Sequence, residues 1–244
     1  MMTPSVVEIP SEIADELIRL CALDKPALKT FSLVCKSWLP ASRYHLYATA
    51  TIYPWNYLTF LELFQSPFCT IKHFICRLEI EDLSNIPIQI FSIPMGLDAV
   101  RSLRLGNVNW SALGSGAKER IRSCFQSVRE LALSRVEFVK FDDFLEIIGS
   151  FPALEHVSLF EINYEGRRRP TARKVQNFVP HHAMPPLHTV VLESLLPAEV
   201  LWVSRFLQML GASLRHLTLE VGEFFENAAE SKSGHSSSLG WTKV

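Results

Sequence analysis

The chain has 244 residues, 48% of them hydrophobic and 20% charged, with a formal net charge of −1 and a sequence pI of about 6.7. That apolar content excludes wholesale disorder, and the near-zero net charge gives no electrostatic reason to expect nucleic acid or an anionic membrane as the main ligand. Five scattered cysteines (Cys21, Cys35, Cys69, Cys76 and Cys124) contain no Cys-x-x-Cys pair, which fits reduced thiols in a cytoplasmic or nuclear protein.

Met1 to Pro10 carries Glu8 and two prolines rather than a basic end and an apolar run, so no secretory signal is expected there, and residues 1–8 read as a flexible N-terminus. Tyr44 to Leu61 lacks Lys, Arg, Asp and Glu, but His45, Pro54, Asn56 and several threonines make it unsuited to a bilayer. A soluble protein with no membrane partner is the expectation.

Residues 9–47 predict two or three short amphipathic helices. Pro10-Ser11 is a helix start, with Ser11 as the expected N-cap. Ile13, Leu17, Leu20 and Cys21 follow i, i+4, i+7, i+8 spacing, and Ile18 adds a second apolar edge. Asp24 is the expected N-cap of the next helix, with Pro26 tolerated in its first turn. Leu28, Phe31, Cys35 and Trp38 share one face, Leu33, Val34 and Leu39 another, and Pro40 is expected to stop this helix. Two apolar faces per helix in about forty residues exceed what so small a module can bury by itself. Either the second face packs on the rest of the chain, or it docks on a partner.

This stretch resembles an F-box, the motif by which substrate receptors dock on the Skp adaptor of cullin-based SCF ubiquitin ligases. The matching positions are Ile9-Pro10, Glu12-Ile13, Leu17-Ile18, Leu20, Leu28, Phe31, Leu33-Val34-Cys35-Lys36 and Trp38, and SLVCKSWLPASRYHLY (32–47) is especially similar to F-box proteins of mushroom-forming fungi. Ile9 stands where Leu is usual, and the link from Cys21 to Lys25 has only Leu23 as an apolar anchor. The resemblance implies that Ile9, Pro10, Ile13, Leu17, Ile18, Leu20, Leu28, Phe31, Leu33, Val34, Cys35 and Trp38 bind the adaptor, and through it a cullin.

From Tyr47 onward a strand phrase, apolar-x-x-apolar-x-apolar, recurs at Ile75–Ile80, Val100–Leu105, Val128–Leu133, Leu154–Leu159, Leu187–Leu192 and Leu214–Leu219, after a degraded copy around Ala50. Its central positions are 50, 78, 103, 131, 157, 190 and 217. Helical patterns fall between phrases, at Asn56–Gln65, Lys118–Gln126, Phe141–Gly149 and Ala198–Leu210. The expected fold class is α/β: a small helical module (9–47), then a short solenoid with a parallel sheet (48–225), then a disordered polar tail (226–244). A generic parallel α/β domain is the alternative. The solenoid is similar to the irregular leucine-rich repeats behind many F-boxes, although Leu83, Val108, Val136, Ile162 and Leu195 stand where the usual asparagine would. No good C-terminal cap is visible, so the last repeat is expected to fray.

Alternation places Arg77, Glu79, Arg104, Glu130, His156, Val191 and His216 on the outer sheet face, with Phe160 one position further on as an apolar anchor. These are the candidate target-binding residues. The step between 157 and 190 holds an insertion in which five of residues 167–174 are basic; a solvated insertion loop is the expectation, a nuclear-import or acidic-partner patch the alternative.

Catalytic signals are missing. Leu113–Lys118 lacks the second Gly-Lys-Ser/Thr of a phosphate loop, there is no Gly-x-Ser-x-Gly elbow, and His181, His182 and His188 have no acid or cysteine at ligand spacing. No active site, metal, cofactor or small-molecule substrate is expected. The expected function is target recognition for an SCF-type ligase, with a protein target of unknown identity. The alternative is a repeat scaffold acting outside any ligase, its N-terminal helices serving as a cap.

Overall fold

A computed structural model describes residues 9–82, 96–164, 184–195, 200–221 and 239–242. Three helices come first: α1 (Ser11–Leu20), α2 (Lys25–Val34) and α3 (Leu39–Tyr47). Ser11 is the first helical residue and not the cap. Pro10 holds the cap position, and its carbonyl accepts from the Ile13 and Ala14 amides at 3.1 and 3.0 Å. Proline suits that place, because its ring fixes φ while its carbonyl stays free for the first helical bond.

Asp24 caps α2 as expected, its Oδ1 accepting from the Ala27 amide at 2.9 Å. Asp24→Ala should cost about 1 kcal/mol of module stability, read as earlier loss of hydrogen-exchange protection in α2. A smaller effect than about 0.3 kcal/mol would show that the cap contributes nothing.

The second helix does not run on to Leu39. Cys35 is extended (φ −161°, ψ 168°), the next three residues turn, and Pro40 lies in the first turn of α3. Pro40 therefore opens a helix where the sequence suggested it would close one. Its missing N–H is needless in a first turn, so both roles agree with its chemistry. Helix α3 packs on α1 and α2, and the module's buried residues are Ala14, Ile18, Leu28 and Ser42.

The rest is mixed α/β. Strands β1 (Thr49–Ile52), β2 (Arg77–Ile80), β3 (Ser102–Asn109), β4 (Glu130–Phe138), β5 (His156–Phe160), β7 (Thr189–Leu195) and β8 (His216–Val221) pair in chain order, all parallel. Short β6 (Asn163–Tyr164) pairs with the far end of β4, also parallel. Helices α4 (Tyr57–Gln65), α5 (Ser115–Cys124), α6 (Phe141–Gly149) and α7 (Val200–Leu210) lie between strands, close to the ranges read from periodicity.

The register follows the phrase. Ala50, Leu78, Leu103, Leu131, Val157, Val190 and Leu217 are successive cross-strand partners, so the seven central positions form one row across the sheet. Residues on either side of them point the other way. Ile75, Leu78, Ile80, Leu103, Leu105, Leu131 and Leu133 are buried, against Phe64 of α4, Ile121 of α5, Phe144 and Ile148 of α6, and Phe206 of α7. Fully burying each such side chain contributes about 1.5–3 kcal/mol. This core is continuous from Ile52 to Leu210, and Ala14, Ile18 and Leu28 lie outside it.

Four places beyond five of the seven central positions the backbone turns left-handed. Asp82, Asn107, Arg135, Glu161 and Ser194 all have φ between 49° and 59°. Aspartate and asparagine tolerate this region; arginine and glutamate rarely visit it. The kink returns the following residue to the core: Val108, Val136 and Ile162 are buried. Because neighbouring strands kink together, pairing resumes at Val108 with Val136. Strand β7 kinks at Ser194 and β8 has no matching residue, so their register shifts between Leu192 and Leu195. Asn107 Nδ2 donates to Asp82 Oδ1 at 2.7 Å, a single rung where no asparagine ladder was expected.

The expected disordered tail needs correction. Leu239–Thr242 forms β9, antiparallel to β8 with Leu239 beside Leu219 and Thr242 beside His216. It covers an edge that would otherwise present unpaired amides and carbonyls. The remainder of the expected tail, and the insertion at 167–174, lie outside the described residues.

Candidate functional site

Helix α1 carries two apolar stripes. Ala14 and Ile18 point inward and are buried. Ile13, Leu17 and Leu20 point outward and stay 55%, 42% and 69% exposed. Helix α2 repeats this division, with Leu28 buried and Leu33 and Val34 85% and 57% exposed. Leu23, in the link between them, is fully exposed. Seven large apolar side chains between Ile9 and Val34 thus face solvent, a density that marks interaction surfaces.

Of the twelve adaptor-binding candidates, Ile9, Pro10, Ile13, Leu17, Leu20, Leu33, Val34 and Cys35 are exposed. Phe31 and Trp38 are half-buried and pack edge to face with centroids 5.5 Å apart. Ile18 and Leu28 are the module's own core and offer nothing to a partner, which corrects their assignment. Spacing reveals two stripes without saying which one turns inward. Leu23 is not among the candidates, since no periodicity marks a residue in a link.

Cys35 lies at the end of α2, exposed, its Sγ hydrogen-bonded with Ser37 Oγ at 3.0 Å. That bond, helped by the backbone amides of Trp38 and Ser37, holds its thiol below the ordinary cysteine range. Burial pushes the Cys124 thiol up. At neutral pH, iodoacetamide should therefore label Cys35 well before Cys124, followed by peptide mass spectrometry. Equal rates would contradict this account.

The module is fastened to the sheet through α3. The Ala48 carbonyl accepts from the Cys76 and Arg77 amides at 2.9 and 2.8 Å, and the nearby Cys76 thiol, negative when ionised, raises the Tyr44 phenol's pKa.

The second surface is the outer sheet face. Arg77, Glu130, His156 and His216 lie in the row before the central one, Glu79, Arg104 and Val191 in the row after it, and Phe160 two places further on. Arg77, Arg104, Glu130 and His216 are exposed; Glu79, His156, Phe160 and Val191 are half-buried. The anchor expected at Phe160 is therefore only partly offered. Thr51 Oγ1 donates to Glu79 Oε2 at 3.2 Å, Arg104 Nε stands 3.5 Å from Glu81 Oε1, and Arg129 Nη1 bonds Glu155 Oε1 at 3.2 Å. Gly106 accommodates the Glu81 carboxylate: a Cβ there would stand 2.5 Å from Glu81 Oε2.

Among the described residues, no three His, Cys, Asp or Glu side chains are grouped to hold a metal. No described helix is long and apolar enough to cross a membrane. Gly114 is the N-cap of α5, so the glycine-rich Leu113–Lys118 stretch is a helix-preceding turn. His181 and His182 lie outside the described residues.

No family model and no curated protein matches this chain.

Proposed function

We propose that the chain is a substrate-recognition subunit of an SCF-type ubiquitin ligase, in which α1 and α2 dock on the Skp adaptor and the outer sheet face holds a protein target. One observation carries the reading. The module keeps Ala14, Ile18 and Leu28 for itself and turns Ile13, Leu17, Leu20, Leu33 and Val34 outward. A monomer has no reason to leave so concentrated an apolar face uncovered. The likeness of residues 9–47 to an F-box names the partner. One strand per phrase, stacked in chain order, supports reading the body as a leucine-rich-repeat-like solenoid. The chain would position a target near the conjugating enzyme and raise its effective concentration, leaving chemistry to other subunits.

A second reading rests on the anchoring of α3. Its fastening to β2 through Ala48 suits a scaffold whose helices cap the first sheet edge. Co-expression separates the two. A receptor should copurify with a Skp adaptor at one-to-one ratio, and hydrogen exchange in α1 and α2 should slow when the adaptor is bound. A chain that stays soluble alone, with unchanged exchange when adaptor is added, is a scaffold.

A further inference from the structure

The outer sheet face is electrically polarised along the strands. At the ends where the strands begin, Arg77 on β2 and Arg101, Arg129 and Arg215, each just ahead of its strand, are exposed, and Asp98, Glu130 and Glu155 oppose them. At the ends where the strands kink, Glu81, Asp82, Glu161, Glu193 and Glu220 are opposed by Arg135. The row between these rims is nearly neutral from β4 to β8, running Ala132, Ser158, Val191 and Thr218.

Three of the arginines mark the beginnings of consecutive strands. The Arg101 amide donates to Cys76 and that of Arg129 to Arg101, each at 2.8 Å, so Cys76, Arg101 and Arg129 are equivalent positions just ahead of β2, β3 and β4, stepped by about 4.8 Å, the spacing of paired strands. Arg77 stands one place further on, in the row of Ser102 and Glu130. Arg101 Nη1 donates to the Asp98 and Val100 carbonyls at 2.6 and 3.3 Å, which orients the guanidinium without cancelling its charge. Arg129 has Glu155 as partner, while Arg77 has no ion-pair partner among the described residues. On the opposite rim the carboxylates are partly engaged, Glu81 with Arg104 and Asp82 with Asn107.

We infer that the target surface takes an acidic polypeptide segment laid across the strands along the arginine rim of β2 to β4; this rests on the outer face being the target surface. Direction follows from the polarity. An acidic segment lying along the strands would carry its carboxylates onto Glu81, Glu161 and Glu193, where like charges repel. Only a path across the strand beginnings keeps every carboxylate near a guanidinium, whose planar fork matches it. A nucleic acid suits the face less well, because the carboxylate rim and the net charge of −1 oppose a phosphate chain.

Fluorescence anisotropy of the full chain with labelled twelve-residue peptides of alternating Glu-Ser, Lys-Ser or Gln-Ser, and with a twelve-nucleotide single strand, tests this. The Glu-Ser peptide should bind about tenfold tighter than the other probes at low salt and weaken as salt rises. The pair Arg77→Glu with Arg129→Glu should weaken it by about tenfold or more. The pair Lys25→Glu with Lys29→Glu changes net charge equally but on α2, and should stay within about twofold of wild type. Equal binding of Glu-Ser and Gln-Ser, equal losses for the two pairs, or tighter binding of the oligonucleotide would each overturn the inference. Adaptor capture on the same preparations keeps the two questions apart. Adaptor binding without preference for the acidic peptide removes only the rim assignment. The acidic preference without adaptor binding supports the rim and removes the ligase reading.

Discussion

Leu17→Asp should abolish capture of a Skp adaptor and leave the free chain as stable as wild type. Leu17 is 42% exposed, so an aspartate there stays hydrated until a partner covers it. Covering it would strand a charge against an apolar surface, which costs several kcal/mol unless a partner charge meets it. A loss of about 2 kcal/mol or more, the size of a hot spot, corresponds to about thirtyfold weaker binding. The neighbouring Ile18→Asp makes the necessary contrast. Ile18 is fully buried, so that change should unfold α1 to α3 and lose binding by another route. Surface plasmon resonance for affinity and circular dichroism for folding distinguish the two variants. Wild-type affinity in Leu17→Asp would remove the outward stripe as the docking face. Trp38 is a poorer probe, since its ring packs on Phe31 and truncation would disturb the module as well as any contact.

The second large effect is expected at Phe144. Its ring meets Phe138 at 5.5 Å, Phe141 at 6.0 Å, Trp202 at 5.0 Å and Phe206 at 4.9 Å, joining β4, α6 and α7. Phe144→Ala removes the shared member of that cluster and leaves a cavity, at a cost of about 3–5 kcal/mol. For a chain of this size that lowers the melting temperature by about 10 °C. The helical module should be spared, because Ala14, Ile18 and Leu28 lie outside the main core. Scanning calorimetry with hydrogen exchange at the α1 amides reads both effects. A shift under about 3 °C would mean that the site closes up around the lost ring.

The parallel sheet was legible in the sequence because its cause is local. An apolar residue at every second place can bury only one face, and repeating the phrase six times leaves little freedom in register. The helices between phrases were legible for the same reason, and observed α6 matches Phe141–Gly149. Three features were hidden. The left-handed kinks at Arg135, Glu161 and Ser194 use residues with no preference for that conformation, and each sits beside at least one strand that kinks at the same place. Strand β9 sits in a polar tail whose composition resembles disorder, and it forms against an edge that only the folded sheet provides. Pro40 carries the same chemistry at a helix start as at a helix stop, so spacing cannot choose between them.

The candidate docking face shows the same division most clearly. By itself the sequence determined that α1 and α2 hold more apolar surface than forty residues can bury, since that follows from composition and the 3.6-residue period. Which stripe stays outside was decided only by the tertiary structure. Helix α3, started by Pro40 and tied to β2 through Ala48, packs on α1 and α2, and Ala14, Ile18 and Leu28 are the apolar residues the module buries. Ile13, Leu17, Leu20, Leu33 and Val34 are left to solvent because no element among the described residues reaches them.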